Sequence, residues 1–421
     1  MLKKQSLLIF LTILTLAGAG HAQTPIADLD HDAKIRADMV RFDPHYRELM
    51  TQRRKLLKPM AAEITAREAA GKKVECSHDI MIETRFLMGY TADFPAIDQH
   101  LESLKESLLH PELETHAEEE SPQDGTWGGC FTIWWERLDA SYDVLQMKKA
   151  NGIQPKYRFS VLDRVNSPEK LKAYFDSITE SDVAHTGIDK RKELNFAYVD
   201  LIRLIMADEP AGYLWAPGMK NTLLDLVLHK YRNQKTGWWG ESYLHEGKRE
   251  QADDLSVTFH IVQSLNNDVP MKRELATTLF AVKDVDYPVG WYEHGVQTNH
   301  NNMDVIVLMG ASWSAMTPEQ QKRTKTEIAS MLHWCLTESL QPDGSFKGAG
   351  DADSIEEDEH FGANFLARIG YFNKTRRFWT DQDFPEAEAN RKRIVGFIES
   401  HISTGAAGGA YYTSSLQEIA K

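Results

Sequence analysis

The chain has 421 residues, 48 of them Lys or Arg and 62 Asp or Glu, with 42% hydrophobic residues and three Cys. It is long enough to bury a large core, and its 26 Gly and 15 Pro are too few for a collagen-like or low-complexity polymer. A formal charge of −14 argues against nucleic-acid binding, which needs a basic surface to displace counterions from phosphate, and it counts against polyanionic partners in general.

At the start of the chain Lys3 and Lys4 precede an apolar run from Leu7 to Leu16, and Gly20-His21-Ala22 supplies the small residues of a cleavage site. Residues 1–22 are therefore expected to be a secretory signal peptide, since the apolar run is shorter than the ~20 residues that cross a bilayer. The protein is expected to be exported, to the periplasm or beyond, and not to span a membrane. Residues 23–421 are expected to form a single domain of 399 residues (421 less 22), and losing two lysines moves the formal charge from −14 to −16.

Helical periodicity dominates residues 23–421. Helices are expected near 80–91, 134–149 and 191–207, then over Lys220 to Tyr231, where Leu223, Leu224, Val227, Leu228 and Tyr231 recur at three- and four-residue steps. Asp254 is placed to cap a helix carrying Leu255, Phe259 and Val262, and Thr317-Pro318-Glu319 opens one carrying Ile328, Leu332, Cys335 and Leu336. Further helices are expected near 300–313, 360–371 and 387–401. Strand-like alternation is sparse, so the fold class is all-α. Cys76, Cys130 and Cys335 lie far apart and read as buried thiols, with Cys335 on an apolar helix face. The acidic stretch Glu112 to Glu120 reads as a solvated connector.

Three turns share a signature. Gln123-Asp124-Gly125-Thr126-Trp127, Gln234-Lys235-Thr236-Gly237-Trp238-Trp239 and Gln341-Pro342-Asp343-Gly344-Ser345-Phe346 each run Gln, Gly, aromatic, at spacings of 111 and 107 residues. Gly permits the tight turn after a helix, and the aromatic can fold back over the next helix pair. This unit resembles the repeats of α/α toroids, which implies a ring of about six or seven helical hairpins with a cleft formed by loops at one end.

The densest polar and aromatic segment runs from Tyr287 to Asn302. Trp291, Tyr292, Glu293, Asn299, His300 and Asn302 give it flat aromatic faces for pyranose rings together with amide and imidazole groups for hydroxyls and carboxylates. Trp238, Trp239 and Glu241 form a second such segment, with Arg249 close behind, whereas His260, inside an apolar helix, reads as a core residue. There is no HExxH spacing, GxSxG elbow, phosphate-binding Gly loop or dinucleotide fingerprint, and no cofactor or metal is expected. A polysaccharide or oligosaccharide is the expected partner.

Asn299-His300, with Glu293 seven residues before the His, resembles the catalytic arrangement of the family-38 glucuronan and alginate lyases. The resemblance implies β-elimination on a uronic-acid polymer, with Asn299 and Glu293 neutralising the substrate carboxylate and His300 acting as base or charge stabiliser. Related lyases place an Arg and a Tyr some way after the His, but Lys347 to Ala367 contains neither. Lys347 is then expected to replace the Arg, and His360, Tyr243 or Tyr292 to serve as acid. Two other readings stay open: a glycoside hydrolase using Glu241 and Glu293 as paired carboxylates, or a toroid that only binds carbohydrate.

Overall fold

The computed structural model describes residues 44–421 except 115–118, 151, 208–211, 246–247, 348–354 and 404–408; the expected signal peptide and part of the acidic stretch Glu112 to Glu120 lie outside the described residues. Fifteen α-helices and three short strands are found among the described residues, so the chain is mostly helical. No helix among them is long and apolar enough to cross a membrane.

Helices α1 (Pro44–Ala69), α2 (Glu75–Tyr90) and α3 (Phe94–Leu109) pack on one another around their own core. Met50, Leu57 and Ile64 supply α1's contribution at seven-residue steps, a single stripe on an otherwise polar helix. A larger core holds α4 (Trp134–Ala150), α5 (Pro168–Ile178), α7 (Arg191–Met206), α8 (Met219–Asp225), α9 (Leu255–Ser264), α10 (Lys272–Ala281), α11 (Asn299–Ser312), α12 (Pro318–Trp334), α13 (Ile355–Arg368), α14 (Ala387–Ser403) and α15 (Gly409–Ala420), while Val183 of the four-residue α6 (Val183–Thr186) packs with Tyr243 and Ala252 in a separate small cluster.

The packing order is regular. Helix α4 contacts α7, α7 contacts α9, α9 contacts α11, α11 contacts α13, α13 contacts α15, and α15 contacts α4. Helices between them in sequence lie on the outside: α12 buries only the stripe Thr324, Ile328, Met331 and Leu332, whereas α11 buries twelve of its fourteen residues. The caps expected at Asp254 and Thr317 form; Asp254 accepts from Val257 N, and Thr317 and Gln320 make a capping box. Strands β1 (Glu180–Ser181), β2 (Ser242–His245) and β3 (Lys248–Gln251) make one small sheet, parallel between β1 and β2 and antiparallel between β2 and β3.

All three repeated turns hold their Gly in the left-handed region, with φ of 75° at Gly125, 75° at Gly237 and 100° at Gly344. At Gly344 a Cβ would also stand 2.3 Å from Arg393 O, so the turn requires glycine twice over. The aromatics that follow, Trp127, Trp238, Trp239 and Phe346, are all buried, as the repeat predicts. Two of the turns follow a π-helical turn, Leu226–Lys230 and Cys335–Ser339, that ends the preceding outer helix.

The expectation of three free thiols is corrected. Cys76 and Cys130 form a disulfide across 54 residues of sequence, with Cα atoms 5.1 Å apart, and only Cys335 is a buried free thiol. Sequence separation hid the pair, because the start of α2 and the loop before α4 meet only when the two cores dock. Glu83 of α2 reinforces that junction by accepting from Thr132 N (2.6 Å) and Ile133 N (2.5 Å) at the entry to α4.

Candidate functional site

The N-terminal halves of α7, α9, α11 and α13 are tied together by a chain of polar contacts. Arg191, the first residue of α7, forms a buried two-point ion pair with Asp254, the cap of α9 (Nε to Oδ2 2.5 Å, Nη2 to Oδ1 3.0 Å). One turn deeper, Asn195 Oδ1 lies 3.0 Å from His260 Nδ1, and Asn195 Nδ2 donates to Ser256 Oγ at 3.4 Å. Tyr287, from the loop before α11, donates to Asp304 Oδ2 (3.2 Å), and its Oη lies 3.4 Å from His300 Nε2. The His300 ring stacks on Phe361 of α13 with centroids 4.1 Å apart, and His360 stands against the same Phe361 edge-on. His300, Tyr287, His260, His360 and Phe361 are deeply placed yet each keeps part of its surface open to solvent. Tyr287 and Phe361 pack against the larger core, and His300 and His360 stand against their rings at its partly exposed edge.

Burial sets the protonation of this floor. It pushes His300 down to about 4, with Lys192 and the neighbouring His360 adding to the effect, and pushes His260 well below its ordinary value. It raises the Tyr287 phenol and the Asp304 carboxyl, each well above the usual range, with Asp304 adding to the rise at Tyr287. Near neutrality this cluster therefore holds a neutral imidazole beside a protonated phenol. On the other side of Lys192, burial pushes Glu136 of α4 up to about 8.

Thr298, not an Asn, caps α11, accepting from Asn301 N at 3.0 Å. Asn299, Asn301 and Asn302 are thereby wound into the first turn and buried. Asn299 Nδ2 donates to Ser339 Oγ (2.7 Å), but Asn299 Oδ1, Asn301 Nδ2 and Asn302 Nδ2 make no hydrogen bond among the described residues. Each such atom costs on the order of 1–3 kcal/mol, so their concentration beside His300 marks this turn as set for more than packing.

The other expected site residues fall elsewhere. Trp238, Trp239 and Trp291 are core residues, at most 2% exposed, whose indole N–H groups donate to Leu275 O, Val227 O and Leu279 O; none offers a face to a sugar. Glu241 is sealed from solvent, accepts from Ser181 Oγ at 2.5 Å, and is raised well above the carboxylate range by burial. Glu293 sits on an exposed turn, 3.9 Å from His294, without the burial a neutralising acid requires. Tyr292 packs against the core beside it. Arg249 is exposed and paired with Glu180 at 2.9 Å, Lys347 is exposed, and Tyr243 is buried with its hydroxyl on Asp189 at 3.2 Å. Among the sequence candidates, the structure brings His300 and His360 together against Phe361, with Asn299 and Asn302 in the same first turn of α11 as His300.

The tyrosine beside His300 is Tyr287, which precedes it in sequence, and the arginine buried at this end of the helices is Arg191 at the head of α7. One sequence signal pointed there. Lys190-Arg191-Lys192 puts three cations at the start of a helix, where the macrodipole is also positive, an arrangement that stability alone does not favour. Comparison with family models, with curated proteins and with solved structures gave no match.

Proposed function

We propose that the protein is an exported α/α-toroid polysaccharide lyase that cleaves a uronic-acid polymer by β-elimination. The toroid reading is supported by the packing order, in which each inner helix contacts the next and α15 returns to α4, with the cleft at the N-terminal ends of α7, α9, α11 and α13. The observation that carries the chemistry is the placement of Tyr287 Oη 3.4 Å from His300 Nε2 in that cleft.

In this mechanism neutral His300 takes the C5 proton of the uronate, and the electron pair forms the C4–C5 double bond as the C4–O4 bond breaks. Tyr287 gives its proton to the leaving O4 oxygen. The hydrogen-bonding distance between the two side chains then lets the proton on His300 return to the Tyr287 oxygen, restoring both groups without any oxidant or reductant. The anionic substrate itself stabilises the transient imidazolium and so offsets the weakness of His300 as a base. The paired-carboxylate alternative has no support in the geometry, since Glu241 is sealed and Glu293 exposed.

The test is incubation with glucuronan, alginate and other polyuronates, following the ultraviolet absorbance of the unsaturated product. New absorbance is the expected result. New reducing ends without it would replace elimination with hydrolysis, and binding with neither product would leave a carbohydrate-binding protein.

A further inference from the structure

At the opposite end of α11 from His300, about 15 Å away along the helix, a cavity of about 470 Å³ opens beside Gly310. That volume falls within the range of small-molecule sites, ~300–1,000 Å³. Three cations line it, Lys272 at the start of α10, Arg368 at the end of α13 and Arg376 just beyond, and no Asp or Glu does so among the described residues. In a chain with 62 Asp and Glu against 48 Lys and Arg, that lining is the reverse of the overall balance. Trp313 and Phe378 form an aromatic corner of the same cavity, their rings edge-on with centroids 5.4 Å apart.

The carboxylate that pairs with two of these cations is already engaged. Glu418 of α15 accepts from Arg376 Nη2 at 2.6 Å through Oε1 and from Lys421 Nζ at 2.7 Å through Oε2. Arg368 Nε reaches Glu418 only at 3.8 Å, on the oxygen that Arg376 holds. Among the described residues Arg368 makes no hydrogen bond, and its Nε is shut off from solvent without an acceptor. Burial, together with Arg376 and Arg203, lowers its pKa against the pull of Glu418. Lys272 has neither a hydrogen bond nor an ion pair among the described residues. A helix C-terminus favours a cation and accounts for an Arg at the end of α13. It does not account for Lys272 or Arg376, which come from other segments, and it leaves the Arg368 fork unpaired. Charged donors left unpaired at a cavity are costly in the free protein and are satisfied by an oxyanion.

We propose that this cavity binds a small organic oxyanion carrying a flat ring, an aryl carboxylate or aryl phosphate, with Arg368 and Lys272 on the oxyanion and Trp313 and Phe378 against the ring. The site is separate from the cluster at His300 and does not depend on the reaction proposed there.

Calorimetric titration of the protein with phenyl phosphate, phenylacetate, their ringless counterparts inorganic phosphate and acetate, and the neutral phenylacetamide tests it. At least one ring-bearing anion is expected to bind one-to-one, and the tighter of the two identifies the oxyanion. Lys272→Gln should weaken that ligand about tenfold, and Arg368→Gln should weaken it further. Gly310→Leu should abolish binding with the fold intact, because the only atoms within 4 Å of a Cβ there belong to the Phe378 ring, the nearest at 3.6 Å, so the added side chain enters the cavity. If Arg368→Gln loses its fold along with its Glu418 contact, the other two variants decide. No binding of either ring-bearing anion by the wild type, equal binding of phenylacetamide, equal binding of the ringless anion, or an affinity that Lys272→Gln or Gly310→Leu leaves unchanged would each overturn the inference.

Discussion

At Tyr287 a single hydroxyl connects three functions of the cleft: it donates to Asp304, lies beside His300, and is kept protonated by burial. Removing it leaves the ring and its packing in place, so Tyr287→Phe is expected to lower kcat by roughly 10²–10⁴-fold, the usual worth of a positioned acid or base, while the melting temperature changes little. A variant that keeps full turnover would take Tyr287 out of the chemistry. The sequence made His300 legible because three Asn and a His in four positions exceed what a helix cap needs. It hid Tyr287, which is 13 residues upstream and comes within 3.4 Å only after the loop folds across α11. The Trp pair misled in the opposite direction: adjacent indoles beside a Gly look like a sugar platform, but both rings donate to backbone carbonyls and act as wedges between helices. Nothing in the residue type separates a buried indole with a carbonyl partner from an exposed one.

Among the elements, a stripe and a cap did not decide which helices were read: α3 and α5 carry both, capped by Asp93 and Ser167, and were not expected, whereas α7 has no side-chain cap and was. The expected helices near 134–149, 191–207 and 300–313 correspond to α4, α7 and α11, but α1, α3, α5, α6, α10 and α15 had no counterpart. In α1 the buried residues recur only every seventh position, too sparsely to stand out from its charged surface. The docking of that first helical unit was equally illegible, since it depends on one disulfide and one buried carboxylate that join segments far apart in sequence. In the chain-entropy view, closing a loop of 54 residues stabilises the fold by about 4 kcal/mol. Reduction, or a Cys76→Ser/Cys130→Ser variant, should therefore lower the midpoint of chemical unfolding by an amount corresponding to about 2–5 kcal/mol. Because Glu83 still caps the entry to α4, the circular dichroism of the native state should be preserved. An unchanged midpoint would mean that the two cores dock without help from the cross-link.

Across the whole molecule, the formal charge overstates the repulsion a polyanion meets, because burial holds several carboxyls in their neutral form: Asp79 and Glu136 are each pushed up to about 8, and Glu241 and Asp304 are raised well above their ordinary range. The charge of Asp79 adds to the rise at Glu136, so ionising Asp79 penalises ionising Glu136. The consequence for stability has a definite sign. A carboxyl whose folded pKa of about 8 exceeds its unfolded value of 4.5 is bound to more protons in the fold between those limits, so its contribution is complete below 4.5 and is lost as pH rises through 8. His300 has the opposite course: with a folded pKa of about 4 against 6.5 unfolded, its contribution is complete above 6.5 and is lost as pH falls toward 4. Glu136→Gln removes the alkaline loss and leaves the acid limb alone. Thermal melts of wild type and variant should nearly coincide at pH 4 to 5 and separate progressively toward pH 9, with the variant more stable there by on the order of 2–5 kcal/mol. A difference that stays constant with pH would show that Glu136 ionises freely in the fold and that its burial carries no alkaline cost.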